Sequence, residues 1–121
     1  MKKQSQAKSF AVAFAGIGRA FMSELHMKVH LVFAIAALIA CWVLQVELWG
    51  WCVVIVCIGM VIAAEVLNTA IEALCDKVSP GYDHLIKIAK DAAAGAVLVL
   101  AITAVIVGLV VYIPAFMNLL A

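Results

Sequence analysis

The chain has 121 residues, 69% of them hydrophobic and 12% charged, with a net charge of +1 and a mean hydropathy of +1.23. That composition describes a membrane protein and offers no basic surface for nucleic acid. Three stretches, about residues 29–46, 48–75 and 92–117, are long enough to cross ~30 Å of hydrocarbon, and they leave no room for a separate soluble catalytic domain.

Lys2 and Lys3 make the N-terminus basic, but polar residues follow them and Gly16, Gly18 and Arg19 interrupt the next segment, so it does not read as a cleavable signal peptide. Residues 7–27 read as an amphipathic helix, because Phe10, Phe14, Ile17 and Phe21 recur on one face while Lys8 and Arg19 lie off it. Such a helix either lies in the membrane interface with its aromatics in the acyl boundary or packs against the spans. The pair Gly16 and Gly18 lacks the third glycine of a nucleotide-binding loop and reads as a close-packing site. Glu24 falls just before the first span. His26 and His30 are four apart, a spacing open to a metal, but their place beside the span reads as interfacial.

A short turn near Gln45 to Leu48 follows, with Trp42, Trp49 and Trp51 around it as an aromatic belt. The second span leads into Glu65-Val-Leu-Asn68-Thr-Ala-Ile-Glu72-Ala-Leu-Cys-Asp76. At about 100° per residue, Glu65, Asn68, Glu72 and Asp76 fall within roughly 80° and form one polar stripe. Pro80-Gly81 marks a turn, with His84 in the loop and helix resuming near Tyr82. Lys87, Lys90 and Asp91 then open the third span. Cys41, Cys52, Cys57 and Cys75 have neither metal-ligand nor redox spacing and read as small packing residues. The fold class is an all-α membrane protein, one domain over 1–121, with three transmembrane helices preceded by the amphipathic helix.

Every Lys and Arg, at positions 2, 3, 8, 19, 28, 77, 87 and 90, lies before the first span or between the second and third. The positive-inside rule therefore places the N-terminus and second loop in the cytoplasm. Glu24, Glu65, Glu72, Asp76, Lys87, Lys90 and Asp91 then converge on that surface. Intramembrane acids are costly and mark functional sites by default. Phosphoryl transfer uses this mixture: carboxylates hold Mg²⁺, lysine offsets phosphate charge, and a further carboxylate takes the proton of an attacking hydroxyl. No Walker A loop is present. A small ion- or proton-coupled transporter using Glu65 or Glu72 is the main competing reading, and a regulatory or assembly subunit is a third.

The core Glu65-Val-Leu-Asn-Thr-Ala-Ile-Glu-Ala, with Asp76 and the downstream Ala89-Lys-Asp91, resembles the signature of the bacterial integral-membrane diacylglycerol kinase and undecaprenol kinase family. The likeness extends to the three spans, the amphipathic N-terminal helix, Glu24 and Tyr82. It implies a homotrimer in the bacterial inner membrane that transfers the γ-phosphate of MgATP to a lipid alcohol, with active sites shared between subunits. By that resemblance Glu65 is the general base, and Glu24 and Glu72 are Mg²⁺ ligands at the ATP site. Lys90 and Asp91 contact the nucleotide, and Asn68 and Asp76 support the site. Gly81-Tyr82-Asp83 matches a nucleotide-contacting stretch, so Tyr82 and Asp83 join the ATP site, although the commoner pattern there is acidic-Tyr-His. Ser5 and Val12 stand where better-known members have nucleotide-contacting polar residues, and no such role is carried over to them. The patterns Lys28-Val-His30, the run from Lys87 through Gly95, and Val107-Gly108 through Pro114 look more like the undecaprenol kinase branch. Both lipids offer a primary hydroxyl on an apolar tail.

Overall fold

A computed structural model describes residues 5–23 and 25–121, so the structural placement of Glu24, and that of Lys2 and Lys3, lies outside the described residues. The described chain forms four helices, α1 (Gln6–Ser23), α2 (Leu25–Val43), α3 (Leu48–Val78) and α4 (His84–Leu120), with no strand among the described residues. The last three are long and apolar enough to cross a membrane. With 31 and 37 residues, α3 and α4 extend about 46 and 55 Å at ~1.5 Å per residue, well past the hydrocarbon core at one or both ends.

Several boundaries have a local cause. Ser5 opens α1 by accepting the Lys8 amide on Oγ at 3.2 Å. α2 is described from Leu25, ahead of the apolar run, because His26 and Lys28 continue a helix although they lower its hydropathy. Between α2 and α3 the Val46 amide returns to the Cys41 carbonyl at 3.0 Å, and Gln45 takes a positive φ of 53°. This is a Schellman-type closure, with glutamine at the left-handed position that glycine usually fills. α3 ends where the Ser79 amide closes on Cys75 O at 2.9 Å and Pro80 cannot continue the ladder. Asp83 starts α4: its Oδ1 accepts from the Leu85 and Ile86 amides at 3.0 and 3.1 Å. His84 is accordingly the first residue of a helix, not a loop residue.

α3 and α4 form an antiparallel hairpin, α2 lies against α3, and α1 touches α2 and α3. The buried centre, Cys41, Val46, Val54 and Val111, gathers at the α2–α3 turn. Gly50 allows this approach, because a Cβ there would collide with Val46 and stand 3.1 Å from Val111 Cγ1. Tyr112 Oη donates to the Ala37 carbonyl at 2.8 Å and lies 3.7 Å from Cys41 Sγ, tying α4 to α2. All four cysteines are free; Cys41 and Cys75 are buried packing residues, whereas Cys52 is exposed. Between the three long helices runs an apolar groove of about 420 Å³, with His30 and Tyr112 among its lining residues.

Most large apolar side chains outside this centre remain exposed, as expected where lipid tails rather than water are the solvent. On α1, Phe10, Phe14 and Ile17 are exposed, Phe21 is half-buried and Ala20 is the one buried residue among those described, so most of the apolar face is left uncovered by the chain's own spans. That observation favours the interfacial reading of α1. A Cβ at Gly16, Gly18 or Gly95 would meet nothing within 4 Å. The close packing expected at Gly16 and Gly18 is therefore not made within this chain.

Candidate functional site

The stripe occupies the second half of α3, where the helical repeat brings residues 65, 68, 72 and 76 to one side. It descends from interior to surface: Glu65 is 3% exposed and Asn68 8%, Glu72 is half-buried and Asp76 exposed. Glu65 and Asn68 are the buried polar residues among those described. Burying a carboxylate costs several kcal/mol unless it is paired. The pairing group comes from α2: His30 Nε2 lies 3.5 Å from Glu65 Oε2. One turn along α3, Thr69 Oγ1 donates to the Glu65 backbone carbonyl at 3.0 Å.

Asn68 donates through Nδ2 to Glu72 Oε1 at 3.2 Å, which holds the Glu72 carboxylate. Its own carbonyl oxygen, Oδ1, is buried without a hydrogen-bond partner among the described residues. Leaving an acceptor unpaired costs on the order of 1–3 kcal/mol, so the position is a poor choice for stability alone.

Lys90 reaches from α4 to α3, where its Nζ donates to Asp76 Oδ1 at 2.5 Å. Asp91 turns instead to its own helix and accepts from Lys87 Nζ at 2.7 Å. The adjacent Lys90 and Asp91 thus serve two separate ion pairs, both solvent-accessible. Tyr82 is 80% exposed and Asp83 is occupied in capping α4. No hydrogen bond or ion pair among the described residues links either of them to the stripe. His26 is exposed while His30 is half-buried. Among the described residues, no three His, Cys, Asp or Glu side chains cluster as a metal cage.

One participant escaped sequence reasoning. His30 read as interfacial, yet it is the partner of the buried acid. Its signal was faint: an imidazole at the start of an otherwise apolar run, whose facing residue lies 35 positions away on another helix.

The arrangement is a buried carboxylate, a half-buried amide-held carboxylate and a lysine bridging two helices, all on a three-span helical hairpin. The profile of the family described as prokaryotic diacylglycerol kinase matches residues 11–112. The chain belongs to that family and is an integral-membrane lipid kinase. It is 37% identical over 107 residues to the undecaprenol kinase of Bacillus subtilis, covering 88% of this chain and 87% of that one. It is 39% identical over 113 residues to the diacylglycerol kinase of Synechocystis, covering 93% of this chain and 65% of that one. With the diacylglycerol kinase of Escherichia coli K12 it shares 33% identity over 100 residues, 82% of this chain and 81% of that one.

Proposed function

We propose that the chain transfers the γ-phosphate of ATP to the hydroxyl of a membrane lipid alcohol, undecaprenol or diacylglycerol, at the cytoplasmic face of the bacterial inner membrane. The observation that carries this reading is the graded stripe: a carboxylate sealed from water at Glu65, with oxygen donors at Asn68 and Glu72 on the following turns and Lys90 beyond them. A lipid hydroxyl arrives from the hydrophobic side and a nucleotide from water, and the stripe spans both environments. The lysine and arginine distribution supports a cytoplasmic N-terminus and second loop.

In the reaction, the lipid hydroxyl oxygen forms a bond to the γ-phosphorus while the bond from that phosphorus to the β–γ bridging oxygen breaks. The hydroxyl proton passes to Glu65, and the products are lipid phosphate and ADP. The buried position of Glu65 removes competing water, so that the lipid rather than water is phosphorylated. Lys90 offsets phosphate charge by exchanging its Asp76 partner for phosphate oxygens, and Asp91, Tyr82 and Asp83 edge the nucleotide side.

Magnesium binds through one or two carboxylates together with substrate phosphates, and the hard oxygen donors here suit it: the Glu72 carboxylate, the orphaned Asn68 Oδ1, and Glu24 by its place in the sequence. Bound there, the ion would neutralise charge on the phosphates. A homotrimer with sites shared between subunits accords with the apolar faces that the single chain leaves uncovered.

The test is to incubate purified protein in mixed micelles with γ-labelled ATP and, separately, undecaprenol, diacylglycerol and ceramide. Label should enter the organic phase with undecaprenol or diacylglycerol. Label in none of them would refute the reading.

A further inference from the structure

We propose that His30 is the positioning residue for the Glu65 carboxylate; the proposal rests on Glu65 being the general base. Glu65 is 3% exposed, and among the described residues the one ion-pair or hydrogen-bond contact of its carboxylate is His30 Nε2, 3.5 Å from Oε2. The obvious intrahelical candidate is engaged elsewhere, because Asn68 donates to Glu72 at 3.2 Å. Thr69 touches only the Glu65 backbone carbonyl. Among the described residues, the orientation of the buried carboxylate therefore depends on one imidazole supplied by a different helix.

His30 also lines the apolar groove between the long helices. Its ring thus meets hydrocarbon space on one side and the carboxylate on another. The imidazole stands 3.5 Å from Oε2, close enough to shorten into a hydrogen bond when substrate is bound, which would leave the second carboxylate oxygen to receive the hydroxyl proton. Histidine suits the task because its short, stiff side chain loses little entropy when ordered, whereas a lysine would also bring a fixed charge into the groove. A purely packing role predicts something different, since phenylalanine fills an apolar groove as well as imidazole does.

The test compares His30→Phe, His30→Gln and His30→Asn with the parent in mixed micelles containing dioctanoylglycerol or undecaprenol, with kcat and the KM for MgATP measured separately. His30→Phe should lower kcat roughly 10- to 100-fold, the scale of losing a hydrogen bond to a charged group, with little change in KM. His30→Gln, whose amide reaches about as far as Nε2, should recover most of kcat; His30→Asn, one methylene shorter, should not. Parental kcat in His30→Phe, or Gln no better than Asn, would overturn the proposal. If His30→Phe fails to fold, the Gln and Asn pair carries the comparison alone. Glu65→Gln assayed in parallel separates the two levels: an active Glu65→Gln removes the base assignment itself, whereas an inactive one beside a fully active His30→Phe refutes only the role of His30.

Discussion

Replacing Glu65 with glutamine keeps the shape of the side chain and removes its ability to take a proton. Because the position is 3% exposed, water cannot easily stand in as the base, and on the proposed assignment the full contribution of general-base catalysis should be lost. That contribution is typically 10²- to 10⁴-fold, or about 3 to 5 kcal/mol of barrier at ~1.4 kcal/mol per factor of ten. Folding should respond in the opposite sense or hardly at all. A neutral amide no longer bears the desolvation cost of a buried charge, and its oxygen keeps its place beside His30 Nε2. The thermal midpoint in detergent should therefore be unchanged or slightly raised while kcat collapses, with the KM for MgATP near that of the parent. The assay is initial rate against ATP at saturating lipid alcohol, with an unfolding curve on the same preparation. A folded Glu65→Gln protein with kcat within about threefold of the parent would refute the assignment, because that falls far below a general-base effect.

Three further outcomes follow from the neighbouring residues. Lys90→Ala should raise the KM for MgATP about tenfold or more, as expected for a lost charge-assisted contact to phosphate, yet leave the unfolding midpoint nearly unchanged, because both Lys90 and Asp76 are solvent-accessible; an unaltered KM would remove Lys90 from the nucleotide site. Glu72→Gln should shift half-maximal activity to higher Mg²⁺ concentration, and an unchanged Mg²⁺ titration would count against Glu72 as a ligand. Gly50→Ala should destabilise the fold by about 1–3 kcal/mol through overpacking against Val46 and Val111, visible as a lower thermal midpoint; a parental midpoint would mean that the α2–α3 turn relaxes at no cost.

Much of the site could be read from the chain because it lies along one helix. Glu65, Asn68, Glu72 and Asp76 obey the helical repeat, and the uninterrupted apolar run before Glu65 makes the carboxylate conspicuous. Features that depend on one helix meeting another were not legible. His30 gives no local sign that it faces Glu65. The neighbours Lys90 and Asp91 look like one functional pair, yet a 100° step sends Lys90 to Asp76 on α3 and Asp91 back to Lys87. Gly50 resembles Gly16 and Gly95 in sequence, and only the packing shows that a Cβ is excluded at the first and free at the others. Helix starts were blurred by hydropathy, which registers His26 and Lys28 as breaks although neither interrupts a helix.

The central claim is phosphoryl transfer from ATP to a lipid hydroxyl, and it is tested most directly by product stoichiometry in lipid nanodiscs. Purified protein receives γ-labelled ATP and Mg²⁺ with either a lipid alcohol or the same lipid with its hydroxyl blocked as a methyl ether. The expected result is one labelled lipid phosphate for each ADP with the free alcohol and no labelled lipid with the ether. ADP formed without labelled lipid, or equal labelling of alcohol and ether, would contradict it.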